Sequence, residues 1–398
     1  MSKQIQDAYI VAAVRTPVAR RNGMFRHVRP DDMLAHVLRA VVDQVPGLDA
    51  VGIGDVIVGC AMPEAEQGMN VARIGLLLAG LPETVPGVTV NRFCASGLQA
   101  VADAASRIRL GEADVMIAAG VESMSAMPQI MGNKVSLNPA IFSREENLGI
   151  AFGMGLTAEK VAQRWQIGRE AQDAFAVQSH RRALAASAAG AFREEITPCT
   201  VTTRLPGEGG TVRVTERVWD ADEGPRVDAS LEGLARLKPV FAARGTVTAG
   251  NSSQMSDGAG AVLLMSEAAV KRHGVTPIAR FCSYAVAGVP PEIMGIGPVE
   301  AIPRALQAAG IRQDALDWIE LNEAFAAQAM AVMGQLELDP LKVNPWGGAI
   351  ALGHPLGATG AIRTATLMSA MRQGKARYGM ISMCIGTGMG AAGVFERI

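Results

Sequence analysis

The sequence predicts an α/β fold built from two similar halves, with a segment of different character inserted into the first. Three observations predict it. Apolar strand-like runs alternate with amphipathic helical runs at both ends of the 398-residue chain, the pattern of strands joined by crossover helices. An order of strand, reactive residue, helix and strand occurs twice, which points to an internal duplication. Between the two copies, residues 124–244 are more polar and mixed. The predicted division is residues 1–123 with 245–273 as the first half, 124–244 as an inserted loop domain, and 274–398 as the second half.

Composition limits the function classes. Hydrophobic residues make up 49% and charged residues 19% of the chain, which excludes a disordered protein. A net charge of −1 offers no general basic face for nucleic acid, and 4% aromatic residues supply few base-stacking platforms. The 44 glycines suit close helix–sheet packing and ligand sites lined by backbone. The start, Met1 to Gln6, reads as no secretion signal, and the apolar run Ala8 to Val14 is too short to span a bilayer. Five cysteines, an odd number with no CxxC pair, fit a reducing cytoplasm and no metal site.

In chain order, Ala8 to Val14 and Asp55 to Gly59 read as buried strands separated by a helical run from Met33 to Val45, which Pro46-Gly47 ends. The strand Thr89-Val90 follows, then a helix with Leu98, Val101, Ala102, Ala105 and Ile108 on one face, then the strand Val115 to Ala118. Alternation of this kind predicts parallel strands. The inserted segment carries Met124, Met127, Met131 and Met154, helical runs from Leu156 to Gln166 and Arg169 to Ala189, and the turn Pro206 to Gly210 before short strands at Val212, Val214 and Val218. The pattern then returns with a strand at Ala261 to Met265. Ile278 to Tyr284, a helix over Val299 to Ala309, Trp318 to Leu321, a helix over Glu323 to Leu336, and Met380 to Met383 complete the second set.

Cys94 sits at the start of the helix after Thr89-Val90, where unpaired N–H groups and the helix dipole favour a thiolate. A buried structural thiol is the alternative for a cysteine considered alone. In the second copy Val343-Asn344 matches Val90-Asn91, and His354 lies before the equivalent helix through Ala358, Ala361, Ile362 and Ala365. If the halves stack, the two helix starts face each other and Cys94 meets His354, a nucleophile with an imidazole to take its proton. His27, His36, His180 and His273 stand in charged or helical contexts and read as surface groups.

Cys384 leaves a strand directly into Gly386-Thr387-Gly388-Met389-Gly390, whose backbone N–H groups can form an oxyanion hole. Its thiol can also carry protons near neutral pH. Gly388 to Gly393 formally fits a dinucleotide fingerprint, but only five residues follow, too few for the required helix. Asn322 ends the strand Trp318 to Leu321, where it can hold a water, donate to an oxyanion, or cap a helix. Cys60, Cys199 and Cys282 have no motif around them and read as packing residues.

Taken together, the runs N-R-F-C-A-S-G at Asn91, N-E-A-F at Asn322, G-H-P-L-G-A-T-G at Gly353 and C-I-G-T-G at Cys384 resemble the thiolase family of acyl-CoA C-acetyltransferases. The resemblance covers the whole chain, including Thr248 to Ser253 and Met294 to Pro298. It implies a five-layered α-β-α-β-α fold from two five-stranded halves with an inserted loop domain. It also implies an acyl-accepting Cys94, a general acid/base in Cys384, and a His354 that activates Cys94. His354 with a water on Asn322 would form one oxyanion hole, and the N–H groups of Cys94 and Gly386 a second. Ser253, Ala249, Met154, Met294 and Phe325 would line the pantetheine and acyl tunnel, with Arg226 near the nucleotide of coenzyme A. CoA would be a co-substrate, with no permanently bound cofactor and no metal, and the protein a homodimer or homotetramer.

Ser283 to Pro291 and Ser382 to Gly390 resemble the degradative branch, which implies thiolytic cleavage of a 3-ketoacyl-CoA. Gly153, where biosynthetic members carry histidine, favours longer acyl chains. Three alternatives stand beside it: a biosynthetic acetoacetyl-CoA thiolase, a decarboxylating ketosynthase, and a silent acyl-CoA or lipid-binding module. Ketosynthases lack the cysteine at Cys384, and a silent module would be expected to lose one of Cys94, His354 or Cys384.

Overall fold

The computed structural model describes residues 5–127 and 136–398. The predicted Met131, and Met1 to Gln4 of the N-terminal reading, lie outside these residues. The first half runs β1 (Ala8–Arg15), β2 (Ala19–Arg20), α1 (Pro30–Asp43), β3 (Val56–Gly59), α2 (Val71–Leu78), β4 (Gly87–Val90), α3 (Ser96–Arg109) and β5 (Val115–Ser123). Helix α1 opens with Pro30 and the acidic Asp31 and Asp32, both favoured in a first turn, and buries Met33, Leu34, Val37, Leu38 and Val41 on one face.

Between β5 and the next strand of the main sheet the chain forms α4 (Met154–Arg164), α5 (Arg169–Ala188), β6 (Cys199–Pro206), β7 (Val212–Trp219) and α6 (Leu231–Ala235). The valines of 212–218 lie on one continuous strand, paired to β6 as an antiparallel hairpin. The chain returns as β8 (Ser256–Ser266) and α7 (Glu267–His273). The second half is β9 (Ala279–Gly288), α8 (Gly297–Ala309), β10 (Trp318–Leu321), α9 (Ala326–Gln335), α10 (Ala349–Leu352), α11 (Thr359–Arg372), β11 (Tyr378–Ile385) and β12 (Met389–Arg397).

The main sheet has the order β10-β11-β12-β9-β1-β8-β5-β3-β4, with β2 paired to β8. Read outward from the β1–β9 junction, the halves match: β1, β8, β5, β3, β4 on one side and β9, β12, β11, β10 on the other. The equivalent of β4 is reduced to Val343, bridged in parallel to Ile319 of β10. The junction itself is only two residue pairs, Tyr9 with Arg280 and Ile10 with Ala279.

The expectation of parallel strands is corrected. Among the strands of the described residues, only β3 with β4 and β5, and β10 with β11, pair in parallel; β8 and β12 run antiparallel to both neighbours in the sheet order. The cause is connectivity. β12 follows β11 through a three-residue turn in which Thr387 and Gly388 have φ of 68° and 93°, and β8 arrives from the long insertion, so neither needs a crossover helix. The residues of the formal dinucleotide fingerprint belong to this turn and to β12.

Three apolar layers separate and cover the sheets. Helices α1 and α2 pack Leu34, Leu38 and Leu76 against the outer face of the first half. Helix α8 packs Ile302 and Leu306 on the second half, beside Val332 of α9. Between them α3 and α11 lie together, burying Leu98, Val101, Leu367 and Met371. The succession is helix, sheet, helix, sheet, helix.

Two local expectations change. Helix α9 starts at Ala326 rather than Glu323, because Phe325 bridges Ser252 and Ala324 accepts the Ser253 N–H at 2.9 Å, which holds this stretch extended. Asn322 is therefore not a helix cap. His180 is buried at 5% exposure and accepts the Arg226 N–H at Nδ1, and His36 is half-buried, so neither is a surface group.

Candidate active site

Strand β4 delivers the chain to Asn91, whose side chain accepts the Phe93 N–H at 2.8 Å and donates to Ala61 O at 3.0 Å. Phe93 then takes φ of 45°, a left-handed conformation costly for an aromatic residue. Ser96 secures the bend by donating to Phe93 O and accepting from Arg92 N. Cys94 follows in the single 3₁₀ turn Phe93–Ala95, directly before α3.

The N–H groups of Gly386 and of Cys94 itself point to the Cys94 sulfur, but burial is the larger influence and pushes this thiol up to about 11. This direction runs against the expectation of a thiolate: in the empty site, desolvation outweighs the two N–H groups.

His354 occupies the equivalent place in the second half. Gly353, with φ of 89°, turns the chain out of α10, and the 3₁₀ turn Leu356–Ala358 leads into α11. This turn packs on the turn of Cys94, so the two helix starts face each other. The His354 N–H donates to Ser256 Oγ at 3.1 Å. Its ring is bonded on both sides, Nδ1 to Thr359 Oγ1 at 2.7 Å and Nε2 to Asn322 Nδ2 at 3.3 Å. Burial first, and then the charge of Arg363, pull His354 down to about 3, so the imidazole is neutral in the empty site. Asn322 is anchored at the end of β10 by its N–H to Ser382 O, and its buried Oδ1 makes no bond within the protein.

Cys384, on β11, is 1% exposed. Burial and then the nearby Cys94 raise it well above the usual thiol range. Met294, Phe325, Ala324, Ala158 and Val247 surround it, with Met154 packed alongside. A Cβ at Gly386 would lie 3.6 Å from Met154 Sδ and 4.0 Å from Phe93 Cδ2, so this backbone passes beside both side chains. The cysteines, His354, Asn322, Gly386, Met154, Met294 and Phe325 are thus brought to one place.

The remaining predicted residues lie outward from it. Half-buried Ser253 is held by its N–H to Ala324. Exposed Ala249 and Arg226 line a cleft of about 460 Å³ with His180, Ser230 and Leu234. Arg226 pairs with Asp228 through two contacts of 3.1 and 2.9 Å at the surface.

The structure adds three groups that sequence reasoning missed. Phe241 stands edge-on to Phe325, centroids 6.1 Å apart, and fits only because Gly155 has no side chain. Its loop carries no periodicity that could have flagged it. Glu122, fully buried, accepts N–H groups from Ala61 at 2.8 Å and from Gly357 at 2.9 Å, tying the turn after His354 to the loop after β3. A lone carboxylate in the apolar run of β5 was its available signal. Thr359 is the third. Cys60 and Cys199 are buried, and Cys282 is half-buried.

Comparison with known proteins follows this geometry. The chain matches "Thiolase, N-terminal domain" over residues 8–268 and "Thiolase, C-terminal domain" over residues 275–397. It is 49% identical over 393 residues to a 3-ketoacyl-CoA thiolase of Bacillus subtilis, covering 98% of this chain and 100% of that one. It is 48% identical to 3-ketoacyl-CoA thiolase 2, peroxisomal, of Arabidopsis thaliana, covering 98% of this chain and 84% of the relative. Among solved structures it resembles the Bacillus anthracis acetyl-CoA acetyltransferase, with a TM-score of 0.89, 38% identity and full coverage of both chains. Matches that span both halves, at this identity and with this fold, place the chain in the thiolase family.

Proposed function

We propose that the protein is a degradative 3-ketoacyl-CoA thiolase, cleaving its substrate with CoA to acetyl-CoA and an acyl-CoA two carbons shorter. The observation that carries it is the packing of the Cys94 turn on the turn that follows His354, with Cys384 beside Cys94 and the Gly386 N–H on the Cys94 sulfur. CoA serves as co-substrate, and the family uses no permanent cofactor.

The chemistry follows from the groups in place. His354 Nε2 takes the Cys94 proton, and the sulfur attacks C3 of the 3-ketoacyl-CoA. The N–H groups of Cys94 and Gly386 flank that sulfur, so they face the oxygen on the attacked carbon. As the C2–C3 bond breaks, its electron pair becomes the enolate of acetyl-CoA, whose oxygen is held by His354 and a water on Asn322. Cys384 protonates C2, completing acetyl-CoA and leaving an acyl group on Cys94. Cys384 then takes the proton of incoming CoA, whose sulfur attacks the acyl-enzyme; the bond to the Cys94 sulfur breaks, and that sulfur takes back its proton from His354. Met154, Met294 and Phe325 keep water from this step.

The same reactions reversed give the biosynthetic condensation, and the likeness to an acetyl-CoA acetyltransferase is the observation on its side. As part of the same proposal, the enzyme is cytoplasmic and a homo-oligomer. β4 supports the latter: it is an outer strand with a free edge, and Val88 is 41% exposed.

The test is to incubate the protein with 3-ketoacyl-CoAs of several chain lengths without free CoA, then map adducts by peptide mass spectrometry. An acyl group on Cys94 that CoA discharges is expected. Binding without any adduct would overturn the assignment in favour of a silent acyl-CoA-binding protein. Faster condensation than thiolysis with acetyl-CoA as the only good substrate would favour the biosynthetic reading.

A further inference from the structure

His354 is held by two hydrogen bonds, and together they decide which ring nitrogen carries the proton. An imidazole that is neutral has one donor and one acceptor nitrogen. Asn322 Nδ2 can only donate, and it lies 3.3 Å from Nε2, which makes Nε2 the acceptor. Nδ1 then carries the hydrogen and donates it to Thr359 Oγ1 at 2.7 Å. We propose that Thr359 is a positioning residue of the acyl-transfer site, fixing the ring of His354 as its Nδ1–H form and so leaving Nε2 as the nitrogen that can take a proton once Asn322 yields it.

The proposal rests on the thiolase reading for what the proton transfer does, but its geometry stands apart from it. Thr359 is the first residue of α11, is 1% exposed, and has its position set by the helix that crosses α3. When Nε2 takes a proton the ring becomes a cation, and Nδ1–H still needs an acceptor, which Thr359 alone supplies among the described residues. Nucleophile and base pairs elsewhere often place a carboxylate at this position. A hydroxyl there is neutral, so it orients the ring without stabilising an ion pair in the empty site. Cys94 and His354 then rest as thiol and imidazole, and the proton moves only as the sulfur attacks.

The test uses the full chain with Thr359→Val, which keeps the shape and removes the hydroxyl, and Thr359→Ser, which keeps the hydroxyl. Nitrogen-15 NMR of the His354 ring reports the tautomer directly. Rapid-mixing acylation of Cys94 by a 3-ketoacyl-CoA reports the proton transfer. The wild type is expected to show Nδ1–H. Thr359→Val is expected to lose that preference and to acylate about 10–100-fold more slowly, the usual cost of removing a group that orients a functional histidine, with KM nearly unchanged. Thr359→Ser is expected to restore both. A wild-type Nε2–H tautomer, a valine variant with unchanged tautomer and rate, or a serine variant as impaired as valine would each overturn the proposal. If the wild type itself forms no acyl-Cys94, the thiolase reading fails, and the NMR result still decides the part played by Thr359.

Discussion

Gly97 of α3 and Gly360 of α11 meet backbone to backbone where the two central helices cross. A Cβ on Gly97 would lie 2.7 Å from Ala361 N and 2.8 Å from Gly357 O, and one on Gly360 would collide with Leu98 N. The contact sets Cys94, three residues before Gly97, against the turn that follows His354. It is the point at which the duplicated halves make one site.

Replacing either glycine by alanine is therefore expected to push the helices apart. Forcing a methyl group into packed backbone costs about 1–3 kcal/mol or more. The activity loss should exceed the loss of folded protein, since a small displacement between a nucleophile and its base is costly to rate. Urea unfolding alongside acylation rates would check this. An alanine variant with native stability would show that the crossing has slack.

The resting state of Cys94 makes a pH prediction. Its thiol is pushed up to about 11, so the thiolate fraction in the empty enzyme rises with pH throughout the range below that value. Alkylation of Cys94 by iodoacetamide should then increase about tenfold per pH unit from pH 7 to 10, the slope of a single ionisation far below its midpoint. A plateau reached below pH 8 would show a thiolate at rest. His354 does not alter the sign, because it stays neutral down to about 3.

Much of this site could be read from the sequence because its chemistry is carried in consecutive residues. Cys94, His354 and Cys384 each sit at a strand end or helix start that local pattern marks out, and the matched order of the halves brings two of them together. What could not be read depends on distant chain. Helix α9 begins late because Phe325 pairs with Ser252 of another segment. The antiparallel direction of β8 is set by the long insertion before it. Burial of His180, and the thiol state of Cys94, depend on neighbours that no local window contains. Phe241 is in the site only because Gly155 leaves room for its ring.

Arg226 lies on the exposed wall of the cleft shared with Ala249, paired only to Asp228 at the surface. If it meets the phosphates of CoA, Arg226→Ala should raise KM for CoA about tenfold, near the 1.5–3 kcal/mol of a charge-assisted hydrogen bond reduced by solvent. The kcat value should hold, since the reacting atoms are far from the cleft mouth. A truncated pantetheine thiol that lacks the nucleotide should react equally well with both proteins. An equal effect on both thiols would remove Arg226 from nucleotide binding.

Cys94 is close enough to Cys384 to raise it, yet the two are assigned different work, and one substitution separates them. Cys384 stands among Met294, Phe325 and Ala324, where alanine in its place leaves only a small apolar gap. Without its thiol, the acetyl-CoA enolate has no proton donor, so cleavage of a 3-ketoacyl-CoA by Cys384→Ala should fall about 10²–10⁴-fold, the range for loss of a general acid or base. Direct acylation of Cys94 by a simple acyl-CoA breaks no carbon–carbon bond; it still draws a proton from Cys384 for the departing CoA sulfur, but a thiolate leaves far more readily than an enolate, so this reaction should fall much less. Mass spectrometry should therefore still find the acyl group on Cys94 of this variant when acetyl-CoA is the donor. Cys94→Ala should abolish both reactions. Equal loss of both in Cys384→Ala, with the fold intact, would show that the proton Cys384 gives to the substrate carbon is not its decisive contribution.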